Sequence, residues 1–502
     1  MAGGMIGTGA LFPLSAQEFT PDRFAPPSPY QPWVPVPNKD GDLAAKRRAE
    51  LGKELSVDLS KPLALADLVD IALRRSPSTR EAWFKARSSA AAWGRAKGAY
   101  YPRLSVGANA GAEQETRADS TDRPTIEEAT GGPSLQMSYL LLDFGGRSQG
   151  AEAAKQSLRA ANFAFNQSIQ DLVVSVEKAY YRYDGSRASI EAAESEVRLA
   201  KALRETAELK KQSGLASATD VLQARQNEAE AEFELENIRS QSQILYTDLA
   251  QALCLRPNLI LPIAAADRQI VSEVTAEIDQ LVETALQSRP DVAGAFATLR
   301  QKEAEAKQAE SNYWPTLSLT GGVGRTYFDS EARTSTSSTQ TRGHSNDYQV
   351  GLSMSVDLFD GFSGVNQARE ARNLAEAERA KWQNTELQAI GEVVEADYAY
   401  KSAEKKVTGS RDLLEASQKL DEASAVGYRS GLNSLLERLT AQNKLAEANA
   451  AWVNARSDLF LAAVHLSQTT GSVSPSSTDA VLKDGAKSKT SAASSRGADG
   501  LR

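Results

Sequence analysis

The sequence predicts a mainly α-helical chain that lends four β-strands to a barrel built from several copies of itself. Three observations predict this class. First, the chain is duplicated. "ALRRSP" (Ala72–Pro77) recurs as "ALQSRP" (Ala285–Pro290), and Tyr100-Tyr101-Pro102 recurs as Tyr313-Trp314-Pro315, each displaced by 213 residues. Asp143 in "LLDFGGR" matches Asp360 in "DLFDGFSG", and "SGLASATDVLQAR" (Ser213–Arg225) matches "SGLNSLLERLTAQ" (Ser430–Gln442), each displaced by 217. A fixed order of matches is the signature of a repeat, and the second copy carries four extra residues between its strands. Second, short segments after the aromatic-proline junctions alternate apolar with small or polar residues. Third, long proline-free stretches carry apolar residues every seven positions.

The order of segments follows from these signals. Residues 1–16 hold a short apolar run ending at Ser15-Ala16, like the end of a secretory signal but without its basic region. Either the true start lies upstream or the segment is a plain arm; no cysteine follows it, which argues against a lipid-anchored N-terminus. Residues 17–61 include "PPSPYQPWVPVP", a composition that suits an extended segment lying over a surface. The two copies span 62–255 and 275–470, joined by a connector, 256–274. Residues 471–502 are Ser, Ala, Gly and Asp with little apolar content, an expectation of disorder.

Within each copy a helix is expected first, over Leu63–Gly98 and Glu277–Asn312. A strand pair follows. Leu104, Val106, Ala108 and Ala110 alternate with Ser105, Gly107, Asn109 and Gly111, and Leu135, Met137, Tyr139 and Leu141 alternate with Ser134, Gln136 and Ser138. Leu317, Leu319 and Val323, then Tyr348, Val350, Leu352, Met354 and Val356, repeat the pattern. Period two gives each strand one apolar and one polar face. The Gly/Ser/Thr-rich stretches Glu113–Gly132 and Asp329–Asp347 are expected as exposed loops. A long rod comes next. Leu158, Phe165, Leu172 and Ala179, with Ile169, Val176, Tyr183, Ile190 and Val197, form a heptad seam in the first copy. Ile390, Val393, Tyr400, Val407 and Leu414 form a weaker one in the second, and each rod turns at a glycine, Gly214 or Gly431, to return as another helix.

Four strands are too few to close a barrel. Two chains give eight strands, whose interior fills with side chains; three give twelve, with a lumen lined by the Ser, Gly, Thr, Gln and Asn faces. An apolar outside and a closed ladder are what a membrane barrel requires. Tyr100, Tyr101, Tyr313 and Trp314 then fall at one end of the barrel, as membrane-interface aromatics or as core packing at a helix–strand junction. The remaining composition excludes other classes. A net charge of −8 and a pI near 5.3 argue against nucleic acid as a partner. One cysteine and two histidines leave no spacing for a metal or thiol enzyme, so no catalytic, cofactor-binding or metal residue is assigned. Cys254 and His465 read as packed residues, His344 as a solvent-facing loop residue, and the carboxylates of "AEAEFELE" as a solvated helical face. No apolar run is long enough for a transmembrane helix.

The aromatic-proline junctions, the Asp-Gly motifs "LLDFGGR" and "LFDGFSG", and "GLASATDVLQARQ" with "GYRSGLNSLLERLTAQNKLAEANA", in order and in duplicate, make the chain similar to the TolC family of outer-membrane efflux and secretion ducts. The resemblance covers 62–470. It implies a homotrimer with a twelve-stranded barrel in outer-membrane lipid, a long periplasmic α-helical barrel and an equatorial mixed region. It implies passive export for a tripartite efflux pump or type I secretion system, through a periplasmic adaptor (membrane fusion) protein and an inner-membrane RND or ABC pump. It places Glu437 at a pore constriction and makes Tyr428, reaching toward Asp220, a gate link. A second acid of some relatives is here Thr440, and Asn433 stands where the family's namesake has a strengthening arginine. The plain alternative for each is a solvated polar residue at a helix turn. A trimeric surface structural or adhesive protein is the competing function; the duplication weighs against it, since an adhesin would carry one barrel block at its end.

Overall fold

The computed structural model describes residues 61–116, 125–266, 277–334 and 336–472, within the compact body that begins at Leu59. The N-terminal signal remnant and proline-rich segment, part of the connector and the C-terminal tail lie outside the described residues.

Each copy opens with two helices rather than one. Helices α1 (Leu65–Arg75) and α2 (Pro77–Gly98) break at Ser76, and their counterparts later in the chain, α5 (Ile278–Ser288) and α6 (Pro290–Ser311), break at Arg289. The proline is the cause. It excludes its predecessor from helical geometry yet suits the first position of a new helix. Ser76 also caps α2, its hydroxyl accepting from the Thr79 N–H at 3.3 Å.

Four strands follow, β1 (Arg103–Thr116) and β2 (Thr125–Leu142) in the first copy, β3 (Thr316–Arg333) and β4 (Ser338–Ser355) in the second. They form one antiparallel sheet in the order β1-β2-β3-β4, so the two copies join edge to edge at β2 and β3. Register puts the apolar residues of all four strands in rows on one face. Val106, Leu135, Val323 and Tyr348 make one row; Leu104, Met137, Gly321 and Val350 make the next. The other face carries Ser105, Gln136, Gly322 and Gln349. Within one chain the apolar face is bare: Tyr348 is 79% and Val350 85% exposed.

The strands run further than the alternation suggested. Most of Glu113–Gly132 and Asp329–Asp347, expected as loops, is ladder. Beyond the row containing Arg325 and Asn346 neither face is apolar, so period two vanishes, but cross-strand polar pairs continue the sheet. Arg342 bonds Asp329 at 2.8 Å, Gln340 bonds the same carboxylate at 2.9 Å, and Arg325 bonds Asn346 at 2.8 Å.

The rods are α3 (Gly146–Gln212) and α7 (Ser363–Ser430), returning as α4 (Ala218–Ala252) and α8 (Leu435–Thr469). At 67 and 68 residues the rods are each about 100 Å long. Leu172, Val176, Val393, Tyr400 and Val407 are buried as the heptads predict, but Tyr183, Ile190 and Val197 are only half-buried. The buried heptad toward the far end is instead Ala193, Ala200 and Ala207, with Ala207 clustered against Val221 and Ala224 of α4. Small side chains let two helices approach closely, and the large residues are displaced to the flanks. The connector lies along the rods: Tyr180 bonds the Ala264 carbonyl at 3.1 Å and Arg187 that of Ile263 at 3.1 Å. Among the described residues no helix is long and apolar enough to cross a membrane.

Candidate functional site

Two places in this architecture combine unusual backbone with concentrated side-chain chemistry. The first is where strands become rods. Asp143 accepts from the Arg147 N–H at 2.6 Å, and Asp360 accepts from the Gly364 N–H at 2.6 Å. Each carboxylate satisfies an otherwise orphaned amide at the start of a rod. The following two residues must both take positive φ, and each copy supplies one glycine and one phenylalanine, in opposite order. Phe144 and Gly145 stand at 47° and 103°, Gly361 and Phe362 at 68° and 67°. Glycine tolerates this region freely, whereas the two phenylalanines are held there against their preference.

This turn throws the phenylalanine rings outward, beside the aromatic pairs. Tyr100, Tyr101, Tyr313 and Trp314 are all exposed within the chain, Tyr101 by 73%. Phe144 stacks on Trp314 at 5.3 Å, tying the first copy to the second, and Phe359 meets Phe362 at 5.5 Å. The motifs "LLDFGGR" and "LFDGFSG" display Phe144, Phe359 and Phe362 plainly, yet only their Asp and Gly residues stand out to a reader of motifs.

The second place is the far tip. Rod α3 ends in a Schellman motif in which the Leu215 N–H reaches the Lys210 carbonyl at 2.8 Å; α7 ends identically, Leu432 reaching Gly427 at 2.8 Å. Gly214 and Gly431 supply the left-handed residue. Each returning helix then begins with a capping box. Ser217 N–H donates to Asp220 at 2.7 Å, and Ser434 N–H donates to Glu437 at 2.8 Å. Asp220 and Glu437 therefore each have a local task inside their own chain, and Glu437 remains exposed.

Tyr428 is buried on α7 against Leu203 and Leu435. Among the described residues its hydroxyl has no hydrogen-bond partner, Asp220 included. Burial pushes its phenol above the ordinary tyrosine value, and the Asp220 charge adds to the rise. What holds Tyr428 is Lys210: its ammonium lies 3.8 Å from the ring centroid and donates to the Tyr428 carbonyl. Asn433 packs on Gly427 so closely that a Cβ there would come within 2.7 Å of its side chain. Lys210 gave no motif signal, being one of two adjacent lysines at a rod end. Nor did the buried pair of Arg438 and Asp421, which links α8 to α7 behind the tip. Among the described residues no group of His, Cys, Asp and Glu could hold a metal ion.

With this geometry in view, comparison with known proteins is direct. The family model described as "Outer membrane efflux protein" matches residues 68–254 and again 281–472, one match per copy. Among curated proteins, the chain is 27% identical to Protein CyaE of Bordetella pertussis, covering 80% of this chain and 81% of that one. It is 25% identical to Outer membrane protein OprJ of Pseudomonas aeruginosa, covering 89% and 92%. Among solved structures, the outer-membrane channel OprN aligns with a TM-score of 0.71 at 21% identity, covering 84% of this chain and 95% of that one. Outer membrane protein VceC from Vibrio cholerae aligns at 0.69 and 20%, covering 81% and 96%. At such identities the structural likeness establishes the fold. None of these relatives favours a surface adhesin. Two matches to one model, in the two copies read from the sequence, show that the chain belongs to the outer membrane efflux protein family.

Proposed function

We propose that three copies of this chain close a twelve-stranded barrel by joining β4 of one to β1 of the next, and that the barrel opens into a tube of rods crossing the periplasm. The chain is an outer-membrane export channel, and its family works with adaptor and inner-membrane partners. The observation that carries the assembly is the bare apolar band on a sheet whose outer strands, β1 and β4, have no second partner among the described residues. From Trp314 to the row of Val323 and Tyr348 is nine residues, about 30 Å along a strand, or about 23 Å after a tilt of about 40°, close to the apolar height of outer-membrane barrels. Aromatic rings bound both ends: Tyr100, Tyr101, Tyr313 and Trp314 at the rod side, Tyr327 and Tyr348 at the other. Lipid is the surface these faces suit, whereas an acidic chain offers no groove for nucleic acid. An RND pump and an ABC pump would each suit the duct, because the duct is passive in both.

In this reading Glu437 lines the narrowest point, where three carboxylates converge and repel, and Tyr428, Asp220 and Asn433 belong to the gate. Glu437→Gln is a clean probe, since glutamine preserves the capping box while removing the charge. It should weaken cation selectivity in planar bilayers without lowering trimer yield. The whole assembly is tested by mass in mild detergent, which should be about three times the 53.9 kDa of one chain. A water-soluble monomer would end it.

A further inference from the structure

Beneath the first aromatic pair the duplication breaks in its charges. In the second copy Glu310 on α6 accepts from Arg372 on α7 at 2.7 Å, closing the groove between those helices. The corresponding residues of the first copy, displaced by 213 and 217, are Lys97 on α2 and Lys155 on α3. An ion pair in one copy has become two like charges in the other. Both lysines line a notch of about 470 Å³ together with Trp93, Tyr100, Tyr101, Ser148 and one acid, Glu152.

Two like charges facing one groove cost free energy unless something negative stands between them. Glu152 meets part of that need, 3.2 Å from Lys155, but it also accepts from Gln156 at 2.6 Å. Lys97 forms no ion pair with a described residue. Its ammonium lies 3.9 Å from the Trp93 ring centroid, where the second copy has only Ala306. Arg147, its guanidinium 5.3 Å from the Tyr100 ring, is already paired with Asp143 at 3.3 Å, so the charge of the notch rests on the two lysines. The notch is thus cationic, aromatic-walled and placed one turn before the chain enters the barrel. Strand β1 leaves it with Leu104 and Val106 exposed, an apolar track leading away from the charge.

We propose that this notch binds the phosphate of an anionic phospholipid of the leaflet facing the rods, with Lys97 and Lys155 flanking the phosphate and the acyl chains lying along β1. The proposal rests on the outer-membrane reading above. Basic pockets rimmed by Trp and Tyr at headgroup depth are where such lipids are retained, and the second copy, whose charges are already paired, should hold none.

Native mass spectrometry of the detergent-purified trimer decides it, with phosphatidylglycerol, phosphatidylcholine and water-soluble glycerol 3-phosphate as probes. Up to three retained phosphatidylglycerol molecules are expected, with phosphatidylcholine retained at least tenfold less. Lys97→Glu rebuilds the charge pattern of the second copy opposite Lys155, so it should assemble normally while weakening phosphatidylglycerol retention at least tenfold. The double change Lys97→Gln with Lys155→Gln should do the same without a new carboxylate. Unchanged retention in both variants, or equal retention of phosphatidylcholine, overturns the site. Displacement of phosphatidylglycerol by an equal concentration of glycerol 3-phosphate overturns its assignment to a lipid and leaves a site for a free phosphate. Planar-bilayer conductance of the same samples should be unaltered by Lys97→Glu, so the duct and the notch fail separately.

Discussion

The two hairpins, α3 with α4 and α7 with α8, are copies of one design, yet their tips are held by opposite means. In the first, the seam is apolar: Ala200, Ala207, Val221 and Ala224 are buried, and the charges lie outside it. Arg204 bonds Glu228 at 2.5 Å and Glu208 at 3.0 Å, and Arg225 bonds Glu208 at 2.8 Å. In the second, three of the four corresponding positions are polar. Ser417 and Ser424 replace Ala200 and Ala207, and Arg438 replaces Val221, paired with Asp421 at side-chain exposures of only 7% and 10%. Burying apolar surface stabilises directly, whereas a buried ion pair contributes little net because both charges are desolvated. The first hairpin is therefore the firmer strut and the second the one more easily parted, which would suit the gate proposed above.

The largest effect that tests this contrast is loss of one partner of the buried pair. Arg438→Met leaves Asp421 buried without its cation and should cost about 3–5 kcal/mol of local stability. Amide exchange across residues 421–438 should accelerate accordingly, while residues 204–221 keep their protection. Adding Asp421→Leu to Arg438→Met removes the stranded charge and should restore protection or exceed it. If Arg438→Met leaves exchange unaltered, the pair is not buried in the working protein and the two seams do not differ as described. Changing Glu228 to Gln on the first hairpin should do less, since Arg204 and Glu228, at side-chain exposures of 20% and 17%, are more open to water than the buried pair and Arg204 keeps Glu208 as a partner.

Next in size is the tie between the hairpins. Lys210 contributes a charged hydrogen bond to the Tyr428 carbonyl and a cation–π contact to its ring, together about 2–3 kcal/mol. Lys210→Met should raise resting conductance in planar bilayers. Tyr428→Phe should change it little, because the hydroxyl has no bond to lose among the described residues; a large rise would instead reveal a partner supplied by another copy. The pH dependence has a definite sign. With its folded-state value raised, the Tyr428 phenol favours the folded state as a neutral group, and that contribution is lost only as pH rises past the unfolded value of about 10. Below about pH 9 this tyrosine should confer no pH dependence on the tip.

How far the sequence could be read follows from the same physics. The duplication, the aromatic-proline junctions and the rods were legible because they repeat with a period that geometry imposes. The outer halves of the strands were not, because alternation needs one apolar environment, and Asp329, Glu331, Arg333 and Arg342 stand in none. The small-residue seam of Ala193, Ala200 and Ala207 was hidden in an alanine-rich chain, where Tyr183 and Ile190 gave the stronger hydrophobic signal. At the tip, family resemblance pointed to Asp220 and Glu437 as gate and constriction, while the local rule for helix starts already accounts for an acid three residues after Ser217 and Ser434. Lys210 and the pair of Asp421 with Arg438 depend on contacts between separate helices, which no single stretch displays.

The smallest effect sits where the copies end. Helices α4 and α8 both finish in a left-handed residue, and the positions, displaced by 217, are Cys254 with φ 55° and Gly471 with φ 69°. The hydrogen bonds match: Leu255 N–H reaches the Ala250 carbonyl at 2.8 Å, and Ser472 N–H reaches that of Ser467 at 3.1 Å. A side chain in this region costs about 1–2 kcal/mol, part of which glycine gives back as chain entropy in the unfolded state. Cys254→Gly should accordingly stabilise the end of α4 by about 0.5 kcal/mol, read as slower amide exchange there. The reciprocal change is not symmetrical. At Gly471 a Cβ would meet the Arg289 N and Ser288 C atoms at 3.0 Å, so Gly471→Ala adds a backbone clash to the strained φ and should destabilise more than Cys254→Gly stabilises. Burial also pushes the Cys254 thiol up, against the pull of Arg75, leaving it protonated and slow to react at neutral pH. Because it is the lone cysteine, the glycine variant is also a silent background for topology. In it, Ser337→Cys should label on intact cells with an impermeant thiol reagent, and Ala218→Cys only after the outer membrane is permeabilised. Equal labelling of both would invert the chain in the membrane, and with it the assignment of the hairpin tips to the periplasmic mouth.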